Sequence, residues 1–388
     1  MDNLRFYGRL SVIPFCLLLG VASAQNDTIK RARDLGISFE GVTGVHNTIT
    51  DVAGLEVGYK TLVEGSGDLI RGKGPVRTGV TVILPKGKTA KSYGASWFSL
   101  NGDGEMTGLP YIEDYGIGNG PIGITNTNSV GIVRDAIGAW SFNKFSSSDY
   151  IDFAFGLPVV AETWDGTLND INGFHIKKEH VWEALNSASS GKVMEGSVGG
   201  GTGMVCYECK GGSGTASRIF TIDSVQYTLG VFVQANFGRR SDLMIRGIPV
   251  GKEITDLEAI VSEPKRKDGS IIVIVATDAP LLPGQLKLVA KRVTHGIART
   301  GTFSHHSSGE IFLALSTSVP AYDGKSMKEQ WSVIPKWKLD SIFEATVQAT
   351  EEAILNALIA AKDMEGINGN KVFALPHNRL KEILNERE

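Results

Sequence analysis

Short runs of β-branched and aromatic residues bounded by glycine recur along this sequence, and they constrain the fold more than any other feature. Gly79-Val80-Thr81-Val82-Ile83-Leu84 and Tyr227-Thr228-Leu229-Gly230-Val231-Phe232-Val233 are two of them. Runs of this length read as strands, and the 47 glycines among 388 residues supply the tight turns between them. Helical periodicity is interspersed. From Pro283 to Arg299, Leu286, Val289, Ala290, Val293 and Ile297 share one face, and Pro283 suits a first turn. Near the end, Ser341-Ile342-Phe343-Glu344 matches a capping box, and Phe343, Val347, Ile354, Leu355, Leu358 and Ile359 are expected along one side of a long helix. Shorter helices are predicted from Asn128 to Trp140 and from Lys178 to Asn186. Runs of strands separated by helices favour a layered α/β sandwich over a strictly alternating doubly wound sheet.

Charge and leader narrow the function classes. The net charge is −3, and the only basic run, Lys265-Arg266-Lys267, lacks interleaved aromatics, so no nucleic-acid partner is expected. Arg5 and Arg9 precede an apolar stretch ending in Ala22-Ser23-Ala24, the pattern of a cleavable secretory signal over residues 1–24. The mature chain is then expected to start at Gln25 and to be periplasmic or secreted. No later stretch has the ~18 apolar residues of a membrane span. Cys206 and Cys209 remain as C-Y-E-C. An oxidising compartment permits a disulfide, but two intervening residues strain its geometry. No second ligand pair at finger spacing points to zinc.

The common catalytic motifs are missing: there is no G-x-S-x-G elbow, H-E-x-x-H or complete P-loop. Gly118-Asn119-Gly120-Pro121-Ile122-Gly123 matches G-x-G-x-x-G, but its proline and the lack of a clear preceding strand deprive it of meaning. His305-His306 reads as a solvated loop, since adjacent histidines point apart on a strand. Gly269-Ser270 is different. A charged, proline-containing link, Ser262 to Asp268, precedes it, and the apolar run Ile271 to Ala276 follows it. The bland reading is a hairpin turn at Asp268-Gly269. The chemical reading is a serine that attacks the preceding carbonyl, which glycine leaves unencumbered by a Cβ. The ester hydrolyses and frees an α-amine, whose ordinary pKa of about 7.7–8.0 suits a general base for its own hydroxyl.

The surroundings decide between these readings. Asn101 to Gly108 (NGDGEMTG), Pro121 to Gly131 (PIGITNTNSVG), Val160 to Ile171 (VAETWDGTLNDI), Gly196 to Met204 (GSVGGGTGM), Gly230 to Gly238 (GVFVQANFG), Gly269 to Pro280 and Ser308-Gly309-Glu310 occur in one order. With them the chain resembles the DmpA and β-peptidyl aminopeptidase family of self-processing N-terminal-nucleophile hydrolases. The resemblance implies a single αββα sandwich over residues 25–388, cut into 25–269 and 270–388, and a homo-oligomer of such cut pairs. It implies Ser270 as nucleophile, with Ser308 and Glu310 orienting its hydroxyl and amine. Alternation puts the latter two side chains on one face of a strand. Asn236 resembles the oxyanion donor, and Glu162 the acid that receives a substrate's free amino group. Trp164 stands where some members carry a tyrosine that contributes to the oxyanion site. Cys209 also departs from the pattern, standing where an aromatic is expected. Short peptides, amides or esters are the implied substrates, and no metal or organic cofactor is expected. The rivals are an acyltransferase of related fold, resembling the ornithine acetyltransferases, and a secreted binding protein that never cuts itself.

Overall fold

The computed structural model describes residues 30–145, 156–262, 269–318 and 331–387. The expected signal, residues 1–24, and residues 263–268 of the expected link lie outside the described residues.

The glycine-bounded runs form two stacked sheets. The smaller contains β1 (Glu56–Glu64), β2 (Val76–Leu84), β5 (Ile122–Asn126) and β6 (Val159–Thr163) in that order. The larger has the order β4-β3-β12-β11-β10-β9. Its members are β3 (Ser92–Gly102), β4 (Ile117–Asn119), β9 (Gly212–Ile222), β10 (Val225–Asn236), β11 (Gly269–Thr277) and β12 (Ser308–Ser316). A two-stranded hairpin, β7 (Val205–Cys206) and β8 (Cys209–Lys210), leads into β9.

Alternation along the strands builds the layers. On β11, Ile272, Ile274 and Ala276 join Ile83, Ile122, Ile124 and Ala161 of the smaller sheet in the core between the sheets. Ile271, Val273 and Val275 face the other way, against α5 (Pro283–Arg299) and α6 (Asp340–Ile359). On the far side of the smaller sheet, α2 (Val130–Phe145) and α3 (Lys178–Ser187) bury Val133, Ile137, Val181 and Leu185 on Val80, Val82 and Val160. The result is the expected helix–sheet–sheet–helix sandwich, and α5 has the bounds its periodicity predicts.

The expectation for α6 changes, and two open points are decided. The capping box at Ser341 does not form: α6 starts at Asp340, so Ser341 is already helical, and the N-cap Leu339 has no side-chain cap. Its buried face also runs through Ile342, Ala345, Ala349 and Ala353, with Phe343 and Val347 only half-buried. Small residues win here because the sheet is close: a Cβ at Gly214 would lie 2.0 Å from the Ala353 carbonyl oxygen. Cys206 and Cys209 are free, buried thiols that face each other across a hairpin whose turn residues Tyr207 and Glu208 have φ of 51° and 56°. Burial pushes the Cys209 thiol up to about 11 and that of Cys206 further, so both are neutral. The G-x-G-x-x-G match is β4, a turn at Gly120 and β5, with no helix to cradle a phosphate.

Candidate active site

Strand direction gathers the site at one end of the sandwich. β11 and β12 are parallel and begin together, whereas β10 and β3 run antiparallel to them and end there. Consequently Asn236 pairs with Ser270 across β10 and β11, and on β12 Gly269 is in register with Ser308 and Ser270 with Gly309.

Ser270 is buried, and its Oγ accepts a hydrogen bond from the Gly309 N–H at 3.3 Å. Gly269 sits in extended backbone and not in the left-handed region, so its need for glycine is steric. An added Cβ would lie 2.8 Å from the Asn236 carbonyl oxygen and 2.8 Å from Phe237 Cα. Gly309 is constrained in the same way, with the Asp103 carbonyl oxygen 2.4 Å from where its Cβ would be. The segment after β3 thus lies directly on the strand beside the serine.

Asn236 is clamped at both ends of its amide. Its Oδ1 accepts from the Val205 N–H at 2.7 Å, and its Nδ2 donates to the Trp164 carbonyl at 2.9 Å. By alternation it shares the inter-sheet face with Gln234, Phe232 and Ser270. Ser308 and Glu310 share parity with Phe312 and Ala314 and therefore point to the other face. The pair therefore lies beside Gly269, on the face opposite that of the Ser270 side chain. Glu310 Oε2 accepts from Asn101 Nδ2 at 2.7 Å, while Glu310 Oε1 and Ser308 Oγ are buried without a hydrogen-bond partner. Burial raises the Glu310 carboxyl, and the neighbouring Ser308, Asn101 and Ser304 side chains oppose the rise.

Glu162, near the end of β6, borders the same cavity as Ser270 from the smaller sheet. Its Oε1 accepts from the Glu105 N–H at 3.0 Å and its other oxygen from the Thr127 hydroxyl. Burial raises its pKa against these two hydrogen bonds, and the charges of Glu105 and Asp103 add to the rise. A cavity of about 310 Å³ is lined by Asp103, Glu105, Glu162, Trp164 and Ser270, so three acidic residues border the space beside the serine. A second, of about 380 Å³, carries Asn236, Ser308 and Glu310, and Gly269 and Trp164 border both. A third, of about 520 Å³, extends the cleft past Trp164, Thr167, Val205 and Glu208. Trp164 therefore acts through its carbonyl, on Asn236, and through its indole as a wall packed over Gly166.

His305 departs from the expected solvated loop. It is half-buried, borders the second cavity and meets Asp242 at 3.3 Å, while His306 is exposed. Among the described residues no His, Cys, Asp or Glu cluster could hold a metal, and no helix is long and apolar enough to cross a membrane. Asn101 and Thr127 lie inside segments that carry the family resemblance, but a single amide or hydroxyl there gives no chemical signal; Val205 contributes only backbone and leaves no side-chain signal.

Two stacked sheets between helix layers, with a strand-initial serine facing an amide and a cluster of carboxylates, define an N-terminal-nucleophile type of serine hydrolase. Residues 47–372 match the model of peptidase family S58. The chain is 49% identical to the β-peptidyl aminopeptidase BapA of Sphingosinicella microcystinivorans, over 96% of both chains. It is 42% identical to the enzyme of that name from Sphingosinicella xenopeptidilytica, over 96% of this chain and 95% of that one. The structure of the L-aminopeptidase D-Ala-esterase/amidase of Ochrobactrum anthropi, described as a variant of the Ntn-hydrolase fold, superposes with a TM-score of 0.86. Its identity is 43%, over 92% of this chain and 98% of that one. The chain belongs to peptidase family S58 and is a serine aminopeptidase of the β-peptidyl aminopeptidase and DmpA type. These relatives are peptidases, which leaves the acyltransferase and binding-protein readings without support.

Proposed function

We propose that Ser270, once freed from Gly269, removes single N-terminal residues from short peptides, β-peptides among them, through an acyl-enzyme. The carrying observation is the placement of Ser270 opposite Asn236 with Glu162 across the same cavity. Attack of Ser270 Oγ on the Gly269 carbonyl forms an ester as the Gly269–Ser270 C–N bond breaks, and the nitrogen takes the hydroxyl proton. Water then releases Gly269 as a carboxylate. The new amine emerges beside Ser308 and the unpartnered Glu310 Oε1, which can accept its hydrogens. In turnover this amine takes the Ser270 proton, Asn236 donates to the oxyanion, and Glu162 pairs with the substrate ammonium. The leaving peptide has room along the second and third cavities.

Glutamate in the amine subsite, reinforced by Asp103 and Glu105, favours exopeptidase over general amidase action. The BapA names support a β-amino acid at the cleaved position, and the Ochrobactrum anthropi structure an L- or D-α-residue. Export rests on the leader-like residues 1–24, and assembly of cut pairs into a homo-oligomer on the family resemblance. Denaturing electrophoresis with N-terminal sequencing tests the central step: a fragment beginning Ser270-Ile271-Ile272-Val273 is expected. An active protein that remains one chain would overturn the mechanism.

A further inference from the structure

The amide that would donate to the oxyanion is itself held by a peptide group whose carbonyl accepts from a buried lysine. Asn236 Oδ1 accepts from the Val205 N–H, and the carbonyl of that same peptide unit belongs to Met204. Lys210 Nζ donates to the Met204 oxygen at 2.9 Å and to the Gly211 oxygen at 2.8 Å, and the Gly211 N–H adds a second contact to Met204 O at 2.9 Å. Lys210 is fully buried on β8, an expensive place for an amine without a task. Asn236 Nδ2 is anchored to the carbonyl of Trp164, which shares its peptide unit with Asp165. Asp165 is also buried, and it is packed so closely that a Cβ at Gly203 would lie 2.8 Å from its own.

We infer that Lys210 is a positioning residue for the oxyanion donor, fixing and polarising the Met204–Val205 peptide so that its N–H locks the Asn236 side chain toward Ser270. A donor pulling on the carbonyl end of an amide strengthens the hydrogen bond its N–H makes, because linked hydrogen bonds polarise one another. The fixed amide then pays no reorganisation as charge develops on the substrate oxygen. Burial lowers the lysine pKa to about 7, with the Asp165 carboxyl acting against the fall. Burial likewise raises Asp165 to about 7, against the polar side chains of Thr78, Asn169 and Asn126. Either protonation state of the lysine retains N–H donors for the two carbonyls.

This inference rests on Asn236 being the oxyanion donor, and a double-mutant cycle separates the two ideas. In Lys210→Met, an apolar side chain of similar length, kcat should fall about tenfold with KM little changed, a part of the about 10²–10³ that a whole oxyanion donor contributes. In an Asn236→Ala background the same substitution should change kcat less than twofold, since residues acting through one another are not additive. Equal losses in both backgrounds would show that Lys210 acts on the fold at large and overturn the inference. An unchanged kcat in Lys210→Met would do the same. Full turnover in Asn236→Ala alone would remove the donor itself, and the inference with it. Should Lys210→Met not fold, Lys210→Leu, a smaller apolar side chain that also lacks a donor, goes through the same cycle with the same deciding outcomes.

Discussion

Asn236 and Ser270 stand directly opposite each other on antiparallel neighbouring strands, one the last residue of β10 and the other the second of β11. That register fixes the amide at a cross-strand distance from the serine before any substrate arrives. It also explains why the residue before the serine is glycine, since Gly269 passes tightly against the backbone of Asn236 and Phe237.

A methyl group at position 269 should therefore block processing by steric means. Gly269→Ala would place Cβ 2.8 Å from the Asn236 oxygen, and overpacking of this kind costs about 1–3 kcal/mol. Strand β11 should shift, the Ser270 hydroxyl should lose its approach to the preceding carbonyl, and a denaturing gel should show mostly uncut chain. Ser270→Ala should also remain whole, but with an unaltered melting temperature. Normal processing in Gly269→Ala would mean that the glycine is dispensable to the attack.

Asn236→Ala should separate folding from turnover. The variant leaves the Val205 N–H and the Trp164 carbonyl without their partner, a modest loss beside the cleft. Loss of one oxyanion donor lowers turnover by about 10²–10³. Single-turnover acylation should slow by this amount while binding of a slow substrate is retained. Near-wild-type acylation in a folded, processed variant would assign the donor role to another group.

Much of this was legible in the sequence, for physical reasons that differ from residue to residue. β11 announces itself through six consecutive apolar residues because it is buried on both faces, and α5 through a single apolar stripe because its other side meets solvent. α6 shows no such stripe: at its first turns Ile342 and the small residues Ala345 and Ala349 mark the buried side while Phe343 and Val347 are half-buried, and its last turns, Ile354 to Ile359, are buried all round. In the site, Ser270, Asn236 and Glu162 could be named from family-like segments. The opposite facing of Ser270 and Ser308 follows only from the register between β11 and β12. The part played by Lys210 goes through backbone carbonyls, which no side-chain pattern encodes.

Stability away from the site should depend on Glu352. This carboxylate is fully buried, takes a two-pronged contact from Arg33 at 2.7 and 2.9 Å, and meets Arg218 Nη2 at 2.7 Å and Asn47 Nδ2 at 2.6 Å. Burial pushes its pKa up, but the hydrogen bond from Arg33 and the charges of Arg218 and Arg33 bring it below the usual value. A carboxyl depressed in the folded state contributes stability above its unfolded pKa of about 4.3, and that contribution is lost as the pH falls through the folded value. Glu352→Ala should cost about 3–5 kcal/mol at neutral pH, because it strands the buried Arg218 guanidinium. Its melting temperature should approach that of the wild type as the pH is lowered. A constant gap from pH 7 to pH 3 would show that the loss is one of packing and not of charge.

Glu162 makes the sharpest prediction, because its role in catalysis and its effect on stability have opposite signs. Its carboxyl is 4% exposed and shares a cavity with Asp103 and Glu105, and burial, with the charges of those two neighbours, raises its pKa by disfavouring the charged form. A carboxyl whose folded pKa is raised favours the fold at low pH and loses that advantage as the pH climbs from the unfolded to the folded value. Glu162→Gln removes the charged form that burial disfavours, and the glutamine can still accept from the Glu105 N–H while its amide donates to the Thr127 hydroxyl. The variant should melt at the same temperature or higher. Its kcat/KM on a peptide with a free amine should fall roughly 10- to 100-fold, the equivalent of a charged hydrogen bond of about 1.5–3 kcal/mol. The part of the acid limb of kcat/KM that comes from protonation of Glu162, displaced above the ordinary carboxylate range, should disappear. N-acetylated peptides should be poor substrates for both proteins, and self-cleavage, which uses no free amine, should proceed in both. A destabilised Glu162→Gln with unchanged kcat/KM on free-amine peptides would make Glu162 a structural group and return the amine subsite to Asp103 or Glu105.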